Sequence, residues 1–313
     1  MTKTALLALS ALALVAGTVA EARQDSLRER LAERMAERMA AKRGQRGDVP
    51  PAPTKQTLAY GRDPLQRLDF YPAQNVQGPA PLVIFVHGGG WKRGSKDTAD
   101  GGWKAPHYTA AGYAYASINY RLVPDATVEQ QGADVAAALK LLLGRAAALG
   151  IDRGKVVLMG HSAGAHLVAL VGTDEQYLRG AGLSFRDLAG VVPIDGAAYD
   201  VPRQMTEGPK MMQQTYAQAF GSDPARQRAL SPTLQAAAPN APRFLIIHVQ
   251  RPDGIAQSQA LEAALRQGGT KVERRDFPGT GLSGHGEINR QLGNPAYAAT
   301  PVVDAWLAAT FAG

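Results

Sequence analysis

Strand and helix patterns alternate along the chain from Leu82 onward, and this alternation predicts an α/β fold with one mostly parallel central sheet and helices on both faces. Residues 81–86 (PLVIFV) form a continuous apolar run, as expected of a strand buried on both faces. A second apolar run, residues 156–159, leads directly into a glycine-rich turn and then a helical pattern. Although 313 residues can form two domains, α/β folds often exceed roughly 200 residues as one unit. We therefore assign residues 54–313 to a single domain.

Further elements continue the alternation on either side of a region without sheet periodicity. Strands are predicted at 191–194, 244–249 and 271–277, and helices at 128–143, 162–171, 257–267 and 301–312. The region 199–231 lacks this pattern and is rich in methionine and aromatic residues. We predict that it forms a small cap over a pocket, with Met212 and Phe220 as candidate substrate contacts. The alternative is ordinary helix packing.

The segment 160–164 (GHSAG) occupies the turn between a predicted strand and a predicted helix. A strand, a G-x-S-x-G turn and a helix are the context that a nucleophile elbow requires. The glycines suit a place where strand and helix approach closely. Ser162 is therefore the candidate nucleophile, and His161 beside it is a candidate substrate contact.

Residues 87–91 (HGGGW) follow the buried strand at 81–86. Backbone amides without side-chain obstruction can stabilise the oxygen anion of a tetrahedral intermediate. We expect the amides of Gly89 and Gly90 to serve in this way, with Ala163 as a third donor. The alternative is a glycine-rich turn with no role. Trp91 either lines the pocket or packs in the core.

Three of the six histidines follow Ser162 in the chain. His166 lies within the next predicted helix, so we expect it to pack locally. His248 lies within a predicted strand and is expected to be fixed in the sheet. His285 lies in the glycine-rich run 279–286, which reads as a flexible loop after the last strand. We therefore predict His285 as the general base.

Asp253 follows the strand at 244–249 and is the favoured triad acid, because its separation from His285 resembles the usual spacing. Arg251 is close enough to pair with it. Arg-Pro-Asp-Gly is also a good turn sequence, which gives Asp253 an ordinary structural role as the alternative. The other candidate acid is Asp195, which follows the strand at 191–194.

Together these motifs resemble the α/β-hydrolase superfamily, and within it bacterial esterases with an HGGGW motif, of the hormone-sensitive-lipase-like and feruloyl-esterase/formamidase-like groups. The resemblance covers about residues 60–311 and includes 119–122 (NYRL) and 285–289 (HGEIN). It implies structural roles for Arg121 and Asp134. One departure is that the usual H-G-x-x-D around the acid is replaced by residues 248–253 (HVQRPD).

The resemblance implies a serine hydrolase that cleaves small-molecule carboxylic esters through a Ser-His-Asp triad, without cofactor or metal. The alternatives are an amidase, arylformamidase or peptidase with the same triad, and a non-catalytic binding protein on a hydrolase scaffold. No cluster of His, Asp and Glu has metal-ligand spacing, and the absence of cysteine excludes disulfides and thiol catalysis. The sequence does not indicate an oligomeric state.

Residues 1–22 read as a signal peptide, with a basic start, an apolar stretch at 5–16 and an A-x-A-like site at 20–22. We expect export to the periplasm or medium and no stable membrane span after cleavage; an uncleaved anchor is the alternative.

Residues 23–53 form a charged helical segment followed by a linker, either a solvated spacer or a membrane-surface or partner helix. This segment contributes part of the net charge of +7. Because the remaining charge is spread along the chain and aromatic residues are few, we expect no nucleic-acid partner.

Overall fold

Eight strands form one sheet in the computed structural model, which describes residues 49–97 and 102–312. The strands are β1 (Gln56–Ala59), β2 (Arg67–Tyr71), β3 (Ala80–Val86), β4 (Ala114–Ile118), β5 (Ile151–His161), β6 (Gly190–Ile194), β7 (Arg243–Gln250) and β8 (Lys271–Thr280). Their order is β1-β2-β4-β3-β5-β6-β7-β8. The β1–β2 and β2–β4 pairs are antiparallel, and every other pair is parallel. The predicted α/β architecture is confirmed.

Helices cover both faces of the sheet. They are α1 (Lys104–Ala110), α2 (Val128–Gly144), α3 (Ala146–Leu149), α4 (Ala163–Thr173), α5 (Gln176–Gly180), α6 (Val201–Glu207), α7 (Gln213–Phe220), α8 (Pro224–Ala229), α9 (Pro232–Gln235), α10 (Pro252–Gln267), α11 (Gly281–Gln291) and α12 (Ala299–Ala312). Alternate side chains of β3 enter opposite cores: Ile84 packs in the core that includes α2, α4 and α10, whereas Phe85 packs in the core that includes α1 and α12. This two-sided burial explains the continuous apolar run that predicted β3.

The run 279–286 is not the predicted flexible loop, because residues from Gly281 onward form the first turns of α11. A Cβ on Gly284 would lie 2.5 Å from the carbonyl carbon of Gly279. The glycines here therefore permit close packing of helix and strand end rather than mobility. Helix α10 also begins earlier than predicted, at Pro252, which suits the first helical position.

The region 199–231 folds into the cap that the sequence predicts. It contains α6, α7, α8 and a 3₁₀ turn at Lys210–Met212. Within the described ranges no helix is long and apolar enough to cross a membrane. The predicted signal peptide (1–22) and the charged segment up to residue 48 lie outside the described residues.

Candidate active site

Ser162 lies at the sharp turn between β5 and α4, as the G-x-S-x-G pattern predicts. Its φ is +57°, in a region that residues with a side chain rarely adopt. A Cβ on Gly160 would lie 2.3 Å from the carbonyl oxygen of Gly164. One on Gly164 would lie 2.1 Å from that of Val86. Only glycine fits at both places, and their close packing holds Ser162 in its strained conformation.

Ser162, His285 and Asp195 form a continuous chain of hydrogen bonds. His285 Nε2 lies 3.0 Å from Ser162 Oγ. His285 Nδ1 lies 2.5 Å from Asp195 Oδ2. A carboxylate at Nδ1 selects the tautomer in which Nδ1–H donates, which leaves Nε2 free to accept the serine proton. His285 is therefore oriented as a general base for Ser162.

Asp195 is fully buried at the carboxyl end of β6. Its Oδ1 accepts a hydrogen bond from the backbone amide of Val249 at 3.1 Å, and its Oδ2 accepts one from Arg251 Nε at 2.9 Å. Burial alone would raise the pKa of this carboxyl, but the hydrogen bond from His285 and the charge of Arg251 outweigh burial and hold the pKa below its usual value. Asp195 is therefore a stable anion beside the imidazole.

Asp253, the favoured acid from sequence, does not occupy this place. Its carboxylate lies on the first turn of α10, 3.3 Å from Arg251 Nη1 and 3.4 Å from Gln204 Nε2. The early start of α10 draws Asp253 into this helix, while Asp195, directly after the neighbouring β6, contacts His285. The predicted pairing of Asp253 with Arg251 is confirmed, but its predicted contact with His285 is wrong; the alternative acid makes that contact.

The glycine loop after β3 lies against the elbow. A Cβ on Gly88 would lie 2.8 Å from Ser162 Cβ, and one on Gly89 would lie 2.0 Å from the carbonyl oxygen of Arg93. Gly89 and Gly90 have φ values of +127° and +62°. Glycine is therefore required at positions 89 and 90 by the backbone conformation, and at position 88 by the close approach to Ser162.

An apolar cavity of about 290 Å³ opens beside Ser162. Its walls come from the glycine loop, the elbow, the cap and the starts of α10 and α11: Gly90, Trp91, Ser162, Ala163, Ala197, Pro209, Met211, Met212, Tyr216, Arg251, Pro252, Asp253, Gly281, Leu282 and His285. Of the predicted site residues, Gly90, Ala163, Trp91 and Met212 thus face the same space as the nucleophile. Gly89, the residue before Gly90, is not among the residues that line the cavity.

Two predicted substrate contacts lie elsewhere. Phe220 is fully buried behind Trp91, with ring centroids 4.7 Å apart, so Trp91 separates it from the cavity. His161 faces away from the cavity, and its Nε2 lies 2.9 Å from the carbonyl oxygen of His285. Burial holds the pKa of His161 well below its usual value, so its neutral ring supports the backbone that carries the base.

His166 and His248 pack as the sequence predicts. His166 Nε2 donates to the carbonyl oxygen of Leu230 at 2.8 Å, and its Nδ1 lies 3.3 Å from Trp91 Nε1. Burial lowers the pKa of His166 to about 4, which keeps the ring neutral. His248 lies within β7 with its Nε2 2.9 Å from Arg274 Nη1. The rings of both histidines therefore make hydrogen bonds that stabilise the fold rather than a contact with Ser162 Oγ.

Arg121 and Asp134 form an ion pair, in which the partly exposed Arg121 Nη2 lies 2.8 Å from Oδ1 of the buried Asp134. This agrees with the structural role that their motif implies. Within the described part of the chain, no group of three or more His, Asp and Glu side chains is arranged to hold a metal ion.

Residues 68–265, more than half of the chain, match the model of the BD-FAE family. The chain is 30% identical over 239 residues to esterase LipC of Mycobacterium tuberculosis, covering 72% of this chain and 59% of LipC. It is 34% identical over 115 residues to a probable isoprenylcysteine α-carbonyl methylesterase of Arabidopsis thaliana, covering 37% of this chain and 24% of the plant protein. The chain thus matches less than two thirds of either relative's length.

Among solved structures, the chain is similar to esterase B of Lactobacillus Rhamnosis inhibited with a tributyrin phosphonate. The TM-score is 0.69 at 25% sequence identity, and the match covers 90% of this chain and 94% of that one.

The contact geometry predicts that Asp195→Asn and Asp253→Asn will differ sharply in the reactivity of Ser162. Asparagine at 195 removes the charge at His285 Nδ1 and permits the unproductive tautomer, so labelling of Ser162 by a fluorophosphonate should slow on the order of 100-fold or more. Asparagine at 253 alters a carboxylate that does not contact His285, and labelling should stay within about 10-fold of wild type. The measurement is the second-order labelling rate at pH 7 on folded protein. The reverse ranking would restore Asp253 as the acid.

Proposed function

The chain belongs to the BD-FAE family of α/β-hydrolase esterases, and we propose that it hydrolyses small-molecule carboxylic esters through an acyl-enzyme on Ser162. The observation that carries this proposal is the Ser162–His285–Asp195 hydrogen-bond chain beside an apolar cavity. The relatives named as esterases support ester rather than amide cleavage.

In the first half-reaction, His285 Nε2 takes the proton from Ser162 Oγ as that oxygen attacks the ester carbonyl carbon. Asp195 stabilises the imidazolium that forms. The resulting oxyanion is held by the backbone amides of the glycine loop and of Ala163. When the intermediate collapses, the alcohol leaves with the proton from His285, and Ser162 keeps the acyl group.

In the second half-reaction, water takes the place of the alcohol. His285 removes a proton from this water as it attacks the acyl carbon, and the second tetrahedral intermediate uses the same donors. Collapse releases the carboxylic acid and returns the proton to Ser162.

The nucleophile is tested by hydrolysis of p-nitrophenyl esters of increasing acyl length, with wild type beside Ser162→Ala. We expect turnover by wild type and a loss of roughly 10³-fold or more in the variant, because the acyl-enzyme can no longer form. Undiminished hydrolysis by Ser162→Ala would refute the mechanism. Turnover of anilides or peptides but of no ester would instead favour an amidase, and no turnover of any of these would favour a binding protein.

We also propose that the cap helps to set chain-length preference, because Met212 forms part of the cavity wall. Met212→Ala should enlarge the cavity and shift the preferred acyl chain to longer esters, with a small change in stability since Met212 is only partly buried. Phe220→Ala is the matched comparison. It removes a fully buried ring behind Trp91 and should mainly destabilise the fold, by about 3–5 kcal/mol.

Acyl-length profiles and thermal unfolding of both variants distinguish the two roles. An unchanged profile for Met212→Ala would count against the cap as a specificity element.

We propose further that the protein is exported to the periplasm or medium, on the strength of the basic, apolar and A-x-A-like segments in residues 1–22. Cleavage after Ala22 would leave Arg23 as the new N-terminus. Fractionation of cells that produce the full chain, followed by mass spectrometry, should find this species outside the cytoplasm. Intact chain in the cytoplasm would contradict export, and intact chain in the membrane fraction would indicate an uncleaved anchor.

A further inference from the structure

One oxygen of Asp195 receives hydrogen bonds from two cationic or potentially cationic side chains. Arg251 Nε lies 2.9 Å and His285 Nδ1 lies 2.5 Å from the same Oδ2. Arg251 is 8% exposed and is thus almost as buried as the carboxylate that it contacts. A guanidinium on the same carboxylate oxygen as the imidazole helps to fix the position of that oxygen.

The Arg251 guanidinium also donates hydrogen bonds to the backbone at Asp195 and Gly196. Its Nη2 lies 3.3 Å from the carbonyl oxygen of Asp195 and 3.2 Å from that of Gly196. Asp195 has a φ of +44°, which is unfavourable for a residue with a side chain. Contacts to both the side chain and the main chain therefore oppose relaxation of this strained residue and fix the direction of its carboxylate.

Arg251 is itself held from the other side by α10. Its Nη1 lies 3.3 Å from Asp253 Oδ2. A Cβ on Gly254 would lie 3.0 Å from Arg251 Nη2, so the first turn of the helix packs directly on the guanidinium. The carboxylates of Asp195 and Asp253 thus flank Arg251, and Asp253 limits movement of the guanidinium away from Asp195.

We propose that Arg251 is a positioning residue of the hydrolase proposed above: it fixes the Asp195 carboxylate toward His285 and offsets its charge, while Asp253 holds Arg251 in place. This inference rests on the proposed function. It assigns no contact with the reacting atoms to either Arg251 or Asp253.

Arg251 and His285 are linked through Asp195, because both side chains lie within hydrogen-bond distance of its Oδ2. Without the guanidinium, the Asp195 carboxylate can turn away from His285 Nδ1, and we expect this loss of orientation to lower kcat.

The test compares Arg251→Met and Arg251→Lys with Arg266→Met. Arg266 lies on the same α10, but its guanidinium pairs with Glu262 at 2.8 Å and is 63% exposed. Initial rates with p-nitrophenyl acetate, a neutral ester, are measured at pH 7 over a range of ester concentrations to separate kcat from KM, and folding is checked by circular dichroism.

For Arg251→Met we expect kcat to fall roughly 10- to 100-fold and KM to change little, because the Asp195 carboxylate is no longer held toward His285. Lysine keeps the charge but loses the planar fork, so Arg251→Lys should recover only part of the lost kcat. Arg266→Met should match wild type.

A wild-type kcat in Arg251→Met would overturn the proposal, as would a loss confined to KM, which would make Arg251 a substrate contact. If Arg251→Met does not fold, Arg251→Lys decides: a reduced kcat supports the positioning role, and a wild-type kcat refutes it. The downfield NMR resonance of the His285 Nδ1 proton, recorded in wild type and in the arginine variants, reports the hydrogen bond to Asp195 without substrate. A chain that hydrolyses no ester would thus refute the proposed function, while an identical resonance with and without Arg251 would refute this inference.

Discussion

The buried carboxylate of Asp195 is the group on which the arrangement of the site depends. An ion at the end of β6, out of contact with water, is tolerated only if its oxygens receive hydrogen bonds from groups held in place. Those groups come from separate parts of the chain: the amide of Val249 on β7, the Arg251 side chain after it, and His285 on α11. Because parallel strands end at one edge of the sheet, β5 places Ser162 at the same edge. The sheet register thus brings the nucleophile, base and acid together.

The cavity is built around a second fixed element, the indole of Trp91. The backbone carbonyl oxygen of Trp91 accepts hydrogen bonds from the amide of Val123 at 3.0 Å and from Gln131 Nε2 at 2.8 Å, and the ring packs against Phe220. These contacts fix Trp91 where it lines the cavity as a rigid apolar group. The cap lines the same cavity with more adaptable side chains, Met211 and Met212.

Features determined by short stretches of sequence could be predicted, and those determined by contacts between distant segments could not. The elbow around Ser162 and the glycine loop each follow a strand directly, and steric limits on a few neighbouring residues specify them. Which aspartate meets His285 depends instead on where β6 and β7 end relative to α11, a relation that spans about ninety residues of chain. The burial of Phe220 behind Trp91 is likewise a matter of tertiary packing. Glycines in 279–286 suggested mobility, yet their role is close approach between Gly284 and Gly279, which local propensity does not distinguish.

Arg251 lies between two carboxylates, and of these two the one that also contacts His285 is that of Asp195. Asp253 contacts the arginine at 3.3 Å, whereas Asp195 contacts it at 2.9 Å and also accepts from a backbone amide and from the base. An arginine at the end of β7 disfavours an imidazolium in direct contact with it, but it stabilises a carboxylate placed between the two. The acid on β6 and the arginine on β7 are therefore interdependent: without the arginine the buried acid has an uncompensated charge, and without the acid the buried arginine does. The two positions are therefore best understood as one unit of the site.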